Sequence, residues 1–470
     1  MRILLPTGAA TEKTVKCAAA DFDAEVVVTG EIASFLTPHS LHKLIGKGHY
    51  DMVIVSGMCT ASFEQVERET GVPVFRGPRH AADLARILPV LESIPLSRTI
   101  PADDFLTREK VKEANKRIRE QERKAGFDVI IRNTKIGGGS RIKVLAEVMD
   151  AHRCENIRNV VEYYISSGAD IVDLGFGFDA TPDDVSRVFF ELDDIDHPLA
   201  VDSQEPALIR PALARADLVL SLQETNIPAV GSNIADAGVA AVVVPGSSTL
   251  KKNLGMAKRA GINCLIADPL LQPVGSGLVA SLKGFKDPGY PLFFGAGNVT
   301  ELIDADSVGV NALLAGMAYE TGASIIFTSE HSDKTCGSIR EMRRATEMMS
   351  LCADRPYPKD LGIDLLVLKE KRRRREPPLD YDTITPAKRM PAGIDYDPKG
   401  NFRIGIEGDQ IVAVIQGNAV KGAHWEDVLY TLLSHNRVSL LDHAAYLGKE
   451  LYKAELAIRF GRSFEQDGEF

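Results

Sequence analysis

The sequence predicts an α/β protein built on a central (β/α)8 TIM-type barrel, with an open α/β domain before it and a small α+β domain after it. The main observation is a set of eight short apolar runs between Arg141 and Thr328: RIKVLAEV, DIVDLG, LAVD, LVLSL, AAVVV, CLIAD, LFFG and SIIFTS. Helix-length segments such as NIRNVVEYYISSG and STLKKNLGMAKRAG separate them, the latter ending on a glycine suited to a helix C-terminus. Runs of this kind alternating with helices read as parallel strands with crossover connections, and eight of them close a barrel.

The flanking elements follow in order. Over residues 1–105, RILLPTG, AEVVVTG, DMVIVSG and VPVFRGP each end a β-rich run at glycine, as small open α/β units do. Gly8 and Gly57 read as ordinary turns, because no complete phosphate-binding glycine motif accompanies them. TREKVKEANKRIREQERK is charged nearly throughout and predicts an exposed connecting helix over 106–126. The barrel is assigned to 127–368. The GGGS at Gly137–Ser140 and the acidic ELDDIDHP precede strands, which puts both on the barrel's lower face, as a turn and a solvated loop. KEKRRRREPP cannot continue a helix past its prolines, so 369–395 reads as a linker. Within 396–470, FRIGIEGDQIVAVIQG predicts two strands joined by a glycine-containing turn, and helices follow from Trp425 to Gly461.

Composition narrows the function classes. A chain of 470 residues with 44% hydrophobic content can bury several cores, and a net charge of −10 repels a polyanion, so no nucleic-acid partner is expected. Six cysteines without a C-x-x-C pair indicate reduced thiols, with neither a disulfide framework nor a cysteine metal site. No run approaches the roughly 20 apolar residues of a membrane span, and cytoplasmic residence without membrane contact is the expectation.

In a barrel of this kind, polar residues at the strands' carboxyl ends converge on one opening. That set comprises Asp150, Asp173, Asp202, Asn226, Asp268, Asn298 and the segment Glu330–Lys334. An Asp or Asn after a strand also serves as a helix cap, so the set is more informative than its members. A heteroaromatic ring with an exocyclic amino group beside a ring N–H offers two parallel donors that one carboxylate can accept together. Pterins and guanine-like rings both meet that description.

The segments SSGADIVDLGFGFDATPDD, HPLAVDSQEPALIRPAL, LIADPLLQPVGSG and PLFFGAGNVTEL resemble the pterin-binding barrel family, which includes dihydropteroate synthase and the methyltetrahydrofolate-dependent corrinoid methyltransferases. With its flanks, the whole chain resembles the dihydropteroate synthase-like proteins linked to tetrahydromethanopterin biosynthesis and one-carbon metabolism. The resemblance implies that Asp202 lies under the pterin and that Asp268 holds its amino-pyrimidinone edge. Asn226 then matches the family asparagine after the fourth strand, and Asn298 the one that faces the methyl-bearing nitrogen in the methyltransferase branch.

Departures accompany these matches. The Asn-Val-Thr-Pro-Asp-Ser-Phe loop of synthases is AEVMDAHRCEN here, the Ser-Arg-Lys of strand seven is GAGN, and the Arg-x-His near strand eight is FTSEHSDKTCGSIRE. Cations for a pyrophosphate leaving group would then come from Lys334 or Arg340, assisted by Mg²⁺. The expectation that follows is a transferase joining a dihydropterin pyrophosphate to a ribosyl-type arylamine. Two alternatives remain: methyl transfer from a reduced pterin to a corrinoid, and a pterin carrier without turnover. The Asp-x-His-x-x-Gly corrinoid pattern is incomplete at Asp150–Glu155, and His435 and His443 read as core or surface histidines. The carboxy-terminal DHAAYLGKELYKAELAIRFG resembles a small domain that accompanies pterin-linked proteins, and pairing through outer helices makes a homodimer the expected assembly.

Overall fold

The computed structural model describes residues 1–286, 289–353, 357–359, 361–369, 382–389 and 396–468. The chain divides into two compact units, Met1–Asp380 and Tyr381–Phe470. Most of the basic and proline-rich run lies outside the described residues.

The first unit opens with four parallel strands, β1 (Ile3–Thr7), β2 (Ala24–Val28), β3 (Met52–Val55) and β4 (Val74–Arg76), in the order β2-β1-β3-β4. Side chains alternate across a strand, so each run feeds two cores. Ile3, Leu5 and Ile54 pack on one face with Leu84 and Ile87, while Leu4, Val53 and Val55 pack on the other with Leu41 and Val66. A helix over Ala102–Lys124 leads from this sheet to the barrel. It is not wholly exposed: Ala102 joins the first core, and Ala114 and Ile118 join the barrel's outer core.

A two-stranded hairpin precedes the barrel, β5 (Val129–Ile131) paired antiparallel with β6 (Thr134–Ile136). The barrel strands are β7 (Lys143–Val148), β8 (Ile171–Gly175), β9 (Leu199–Asp202), β10 (Leu218–Leu222), β11 (Ala240–Val243), β12 (Leu265–Ala267), β13 (Leu292–Phe294) and β14 (Ala323–Ser329). All neighbours are parallel, and β14 pairs with β7 to close the ring. The eight runs read from the sequence are these eight strands. Leu145, Ile171, Ala200, Leu218, Leu220, Ala240, Val242, Ile266, Phe293 and Ile325 point inward and meet Val129, Ile131 and Ile136 of the hairpin. Arg132, at the hairpin tip, donates to both oxygens of Asp217 at 2.9 Å and to Asp196 at 3.2 Å, residues that precede β10 and β9. The hairpin therefore plugs the amino-terminal end of the barrel and leaves the carboxyl end open. The outward residues Val144, Ala146, Val172, Leu174, Val201 and Val219 pack under the helices. Local signals fix those helices: Thr181 caps Pro182–Glu191 in a capping box with Asp184, and Gly168 ends Ile157–Ser167 at φ +109°.

In the second unit, β15 (Arg403–Glu407), β16 (Gln410–Ile415) and β17 (Asn418–Gly422) form an antiparallel sheet. Ile404, Ile411, Ala413 and Ile415 pack on Val428, Leu432, Leu447 and Leu451 of helices Trp425–Ser434 and Leu441–Phe460. The first two strands and the helices are those the sequence predicts. The third is an addition: its polar NAVKG forms an edge and carries no apolar pattern. His443 Nδ1 faces Asp397 at 3.1 Å and His435 Nδ1 faces the Thr431 carbonyl at 2.8 Å, which are structural contacts. Among the described residues no helix is long and apolar enough to cross a membrane.

Candidate functional site

On four of the eight barrel strands the inward face passes from an apolar residue to an acid toward the carboxyl end. On β7, Leu145 points inward, so two residues on Glu147 does too; Ile171 is followed by Asp173 on β8, Ala200 by Asp202 on β9 and Ile266 by Asp268 just past β12. Glu147 and Asp173 are register partners, and Asp202 sits opposite Gly175. A Cβ at 175 would lie 2.9 Å from Glu147 Oε1, so a larger residue there would displace that carboxylate. Glu147, Asp173 and Asp202 each offer an oxygen within 4.8 Å of the others.

Burial and mutual repulsion dominate the electrostatics. Asp173 is fully buried, and among the described residues neither of its carboxylate oxygens has a hydrogen-bond partner. Burial, then the charges of Asp202 and Glu147, push its pKa well above the usual carboxylate range. Burial pushes Glu147 up to about 7, with Asp202, Asp150 and Glu301 adding to it. Burial also raises Asp202, eased by the Ser221 hydroxyl. Asp268 is pushed up to about 7 by burial, against the pull of the Leu270 N–H that donates to it at 2.7 Å, and the charge of Asp202 adds to the rise. No basic side chain contributes to any of these four shifts.

An open cleft of about 240 Å³ lies over this acidic floor, lined among others by Glu147, Asp150, Phe176, Phe178, Asp202 and Ser221. Phe178 stands fully exposed on its rim. Asp150 lies there in the left-handed region at φ +49°, a strained conformation for a residue with a side chain. Asp268, three strands further round the mouth, is outside the cleft's lining but feels the charge of Asp202.

The structure thus brings Asp150, Asp173 and Asp202 together, with Asp268 across the opening, and places the other candidates differently. Asn226 is 1% exposed and fully engaged: its Oδ1 accepts from Gln223 N at 2.9 Å, and its Nδ2 donates to Ser221 O at 3.1 Å and Gln204 O at 3.3 Å. It holds the irregular end of β10, where Ser221 has φ +62° and the register with β11 shifts. Asn298 is exposed on the short helix Gly297–Glu301 and does not line the cleft. Lys334 donates to Ile303 O at 2.9 Å and Asp304 at 3.1 Å, and Arg340 is exposed on helix Ser338–Ser350. The loop carrying Lys334 is gathered by Glu301, whose carboxylate accepts from Ser329 Oγ (3.1 Å), His331 N (3.1 Å), Ser332 Oγ (2.6 Å) and Thr335 Oγ1 (2.7 Å). Glu147 is the site residue that reading past the strand ends misses. Its signal was the alternation in KVLAEV, which puts an ionisable group in line with Leu145.

Residues 396–467 match a family described as PterinBD-DUF4346. Among solved structures, a Yersinia pestis dihydropteroate synthase with a pterine-sulfa conjugate is 19% identical, covering 47% of this chain and 97% of that one at a TM-score of 0.39. A 7,8-dihydropteroate synthase of Vibrio fischeri is 18% identical, covering 49% and 100% at 0.39. At such scores these likenesses add nothing to the barrel already described. The whole-chain match is of another order: uncharacterized protein MJ0107 of Methanocaldococcus jannaschii is 33% identical over 99% of this chain and 98% of its own length. This chain belongs to the same family as that protein.

Proposed function

We propose that the carboxyl end of the barrel binds a pterin and that the protein is a transferase acting through a cationic form of that ring. The observation carrying the reading is the placement of Asp202, Asp173 and Glu147 under the cleft with Asp268 across it, Asp173 and Asp268 buried and the other two half-buried, with no basic side chain among the causes of their shifts. An ionised Asp268 accepts the paired amino and ring N–H donors of a pterin edge, while the acids beneath favour positive charge on the ring. The description of the family matching residues 396–467 supports a pterin as the ligand.

The reaction we assign first is the synthase-like condensation, placed in tetrahydromethanopterin biosynthesis. Pyrophosphate leaves the exocyclic carbon of a dihydropterin pyrophosphate, taking the bonding electrons. The resulting cation is delocalised into the ring and attacked by the nitrogen of a ribosyl-type arylamine, which then loses a proton. Acids under the ring lower the barrier because the positive charge they stabilise exists only along the reaction path. One observation favours the second reading, methyl transfer from a reduced pterin: among the described residues no Lys or Arg lines the cleft, and Lys334 is engaged with Asp304. Such a transfer places charge on the methyl-bearing ring nitrogen and has no phosphate to neutralise.

Mixing the protein with dihydropterin pyrophosphate and an arylamine, and measuring pyrophosphate release, tests the first reading. Methylation of added cob(I)alamin from a methyl-pterin tests the second. Release without methylation is the expected result. Pterin binding with neither turnover would overturn the transferase assignment and leave a carrier.

A further inference from the structure

We infer that Glu147, Asp173 and Asp202 form a binding site for one hard divalent cation, of the Mg²⁺ or Mn²⁺ class, at the floor of the barrel mouth. The inference does not depend on the pterin reading. Two independent observations carry it. The first is geometric: the three residues present carboxylate oxygens within 4.8 Å of one another, a separation that oxygens sharing one cation at roughly 2.0–2.6 Å satisfy. The second concerns Asp173 alone, which is completely buried and has both oxygens without a donor. Buried polar atoms are almost always satisfied, and an orphaned carboxylate aimed at two others asks for a cation.

The surroundings agree with this assignment. Gly175, opposite Asp202, adds no side chain between the strands, and a Cβ there would crowd Glu147 Oε1 at 2.9 Å. Glu147 and Asp202 also line the open cleft, so a cation reaches them from solvent and keeps free positions for water or a substrate oxygen. An all-carboxylate donor set without histidine or cysteine selects a hard ion over zinc or copper. The fork at Asp268 is not part of this set, and three ionised carboxylates around one dication still leave a net negative charge beneath the ring.

Titration of the EDTA-treated, dialysed full-length protein with MnCl₂, followed by the electron paramagnetic resonance of free Mn²⁺, tests the site. Wild type should remove one equivalent of signal per chain. Asp173→Asn and Glu147→Gln should weaken binding at least about tenfold, each losing a charged ligand. Glu162→Gln, an exposed acid on the outer helix Ile157–Ser167, should bind as wild type does. Melting curves give a second readout, since a cation that binds only the folded state raises the wild-type melting temperature but not that of the Asp173→Asn protein. The same curves without metal show that the variants fold. Absence of a saturable site in wild type, or undiminished binding by Asp173→Asn and Glu147→Gln, would overturn the assignment. Loss of the cation site with dihydropterin affinity intact would leave the pterin reading standing, and the converse would leave the cation.

Discussion

Asp268 meets two opposed demands. Burial favours its neutral acid and sets its pKa to about 7, yet a pterin edge with two N–H donors is best accepted by the ionised form. Binding should therefore release a proton, and affinity should strengthen as pH rises through 7. Below that value each unit of pH costs up to about tenfold in affinity. Calorimetry with a dihydropterin should show affinity at pH 6 about tenfold poorer than at pH 8; a flat profile would separate Asp268 from the ligand. Asp268→Ala should cost about 2 kcal/mol or more at pH 8, because the two ring donors lose their acceptor. At this scale the sequence was legible where strand ends were acidic, at Asp173, Asp202 and Asp268. It was not legible for Asn226, since only coordinates show an amide wholly engaged with Ser221, Gln204 and Gln223. The role of Glu301 was equally hidden, because its four donors come from residues about 30 positions away.

Among the elements, the hairpin of β5 and β6 depends most on its tertiary setting. Its strands have three residues each, too short to be stable alone, and Val129, Ile131 and Ile136 gain their burial only from the barrel floor. The same fact made it illegible in the sequence, where VII and TKI carry no periodicity that distinguishes them from a loop. The barrel strands were readable because inner and outer cores both demand apolar side chains, giving near-continuous runs bounded by polar residues. Ile136 is fully buried in the plug, so Ile136→Ala should destabilise the protein by about 2–5 kcal/mol in urea-induced unfolding. A change below about 1 kcal/mol would mean that the hairpin is not integral to the core. Glu301→Ala, by contrast, should act locally. With four donors released, the loop over residues 329–335 should exchange its amide hydrogens faster, while global unfolding shifts by about 1–3 kcal/mol.

For the whole molecule, four acids in one barrel mouth, Asp173 and Asp268 buried and Glu147 and Asp202 half-buried, make stability depend on pH in an unusual direction. Asp and Glu in the unfolded chain titrate near 4, whereas Glu147 and Asp268 hold their protons to about 7 in the folded protein, and Asp173 and Asp202 are also raised. Between these limits the folded state binds more protons than the unfolded one, so the stabilisation present at acid pH is lost as pH rises toward 7. Of the groups that shift downward, the carboxylates, Asp170 among them, act below this window, and His197 acts within it. Burial would raise Asp170, but Arg141 and Arg343 outweigh it, so its contribution is lost only in strong acid and lies outside this window. His197, lowered by burial, opposes the trend below about pH 6.5, as one group against five, since burial raises Glu341 as well. Calorimetric melting in EDTA should therefore give a higher melting temperature at pH 5.5 than at pH 8. Asp173→Asn removes the most deeply buried of the four charges while keeping the shape of the side chain, so it should raise the melting temperature at pH 8 by about 2–4 °C and flatten the dependence. A melting temperature that rises steadily from pH 5.5 to pH 8 in wild type would show that the mouth is not held acidic by its own burial, and that compensating positive charge reaches it.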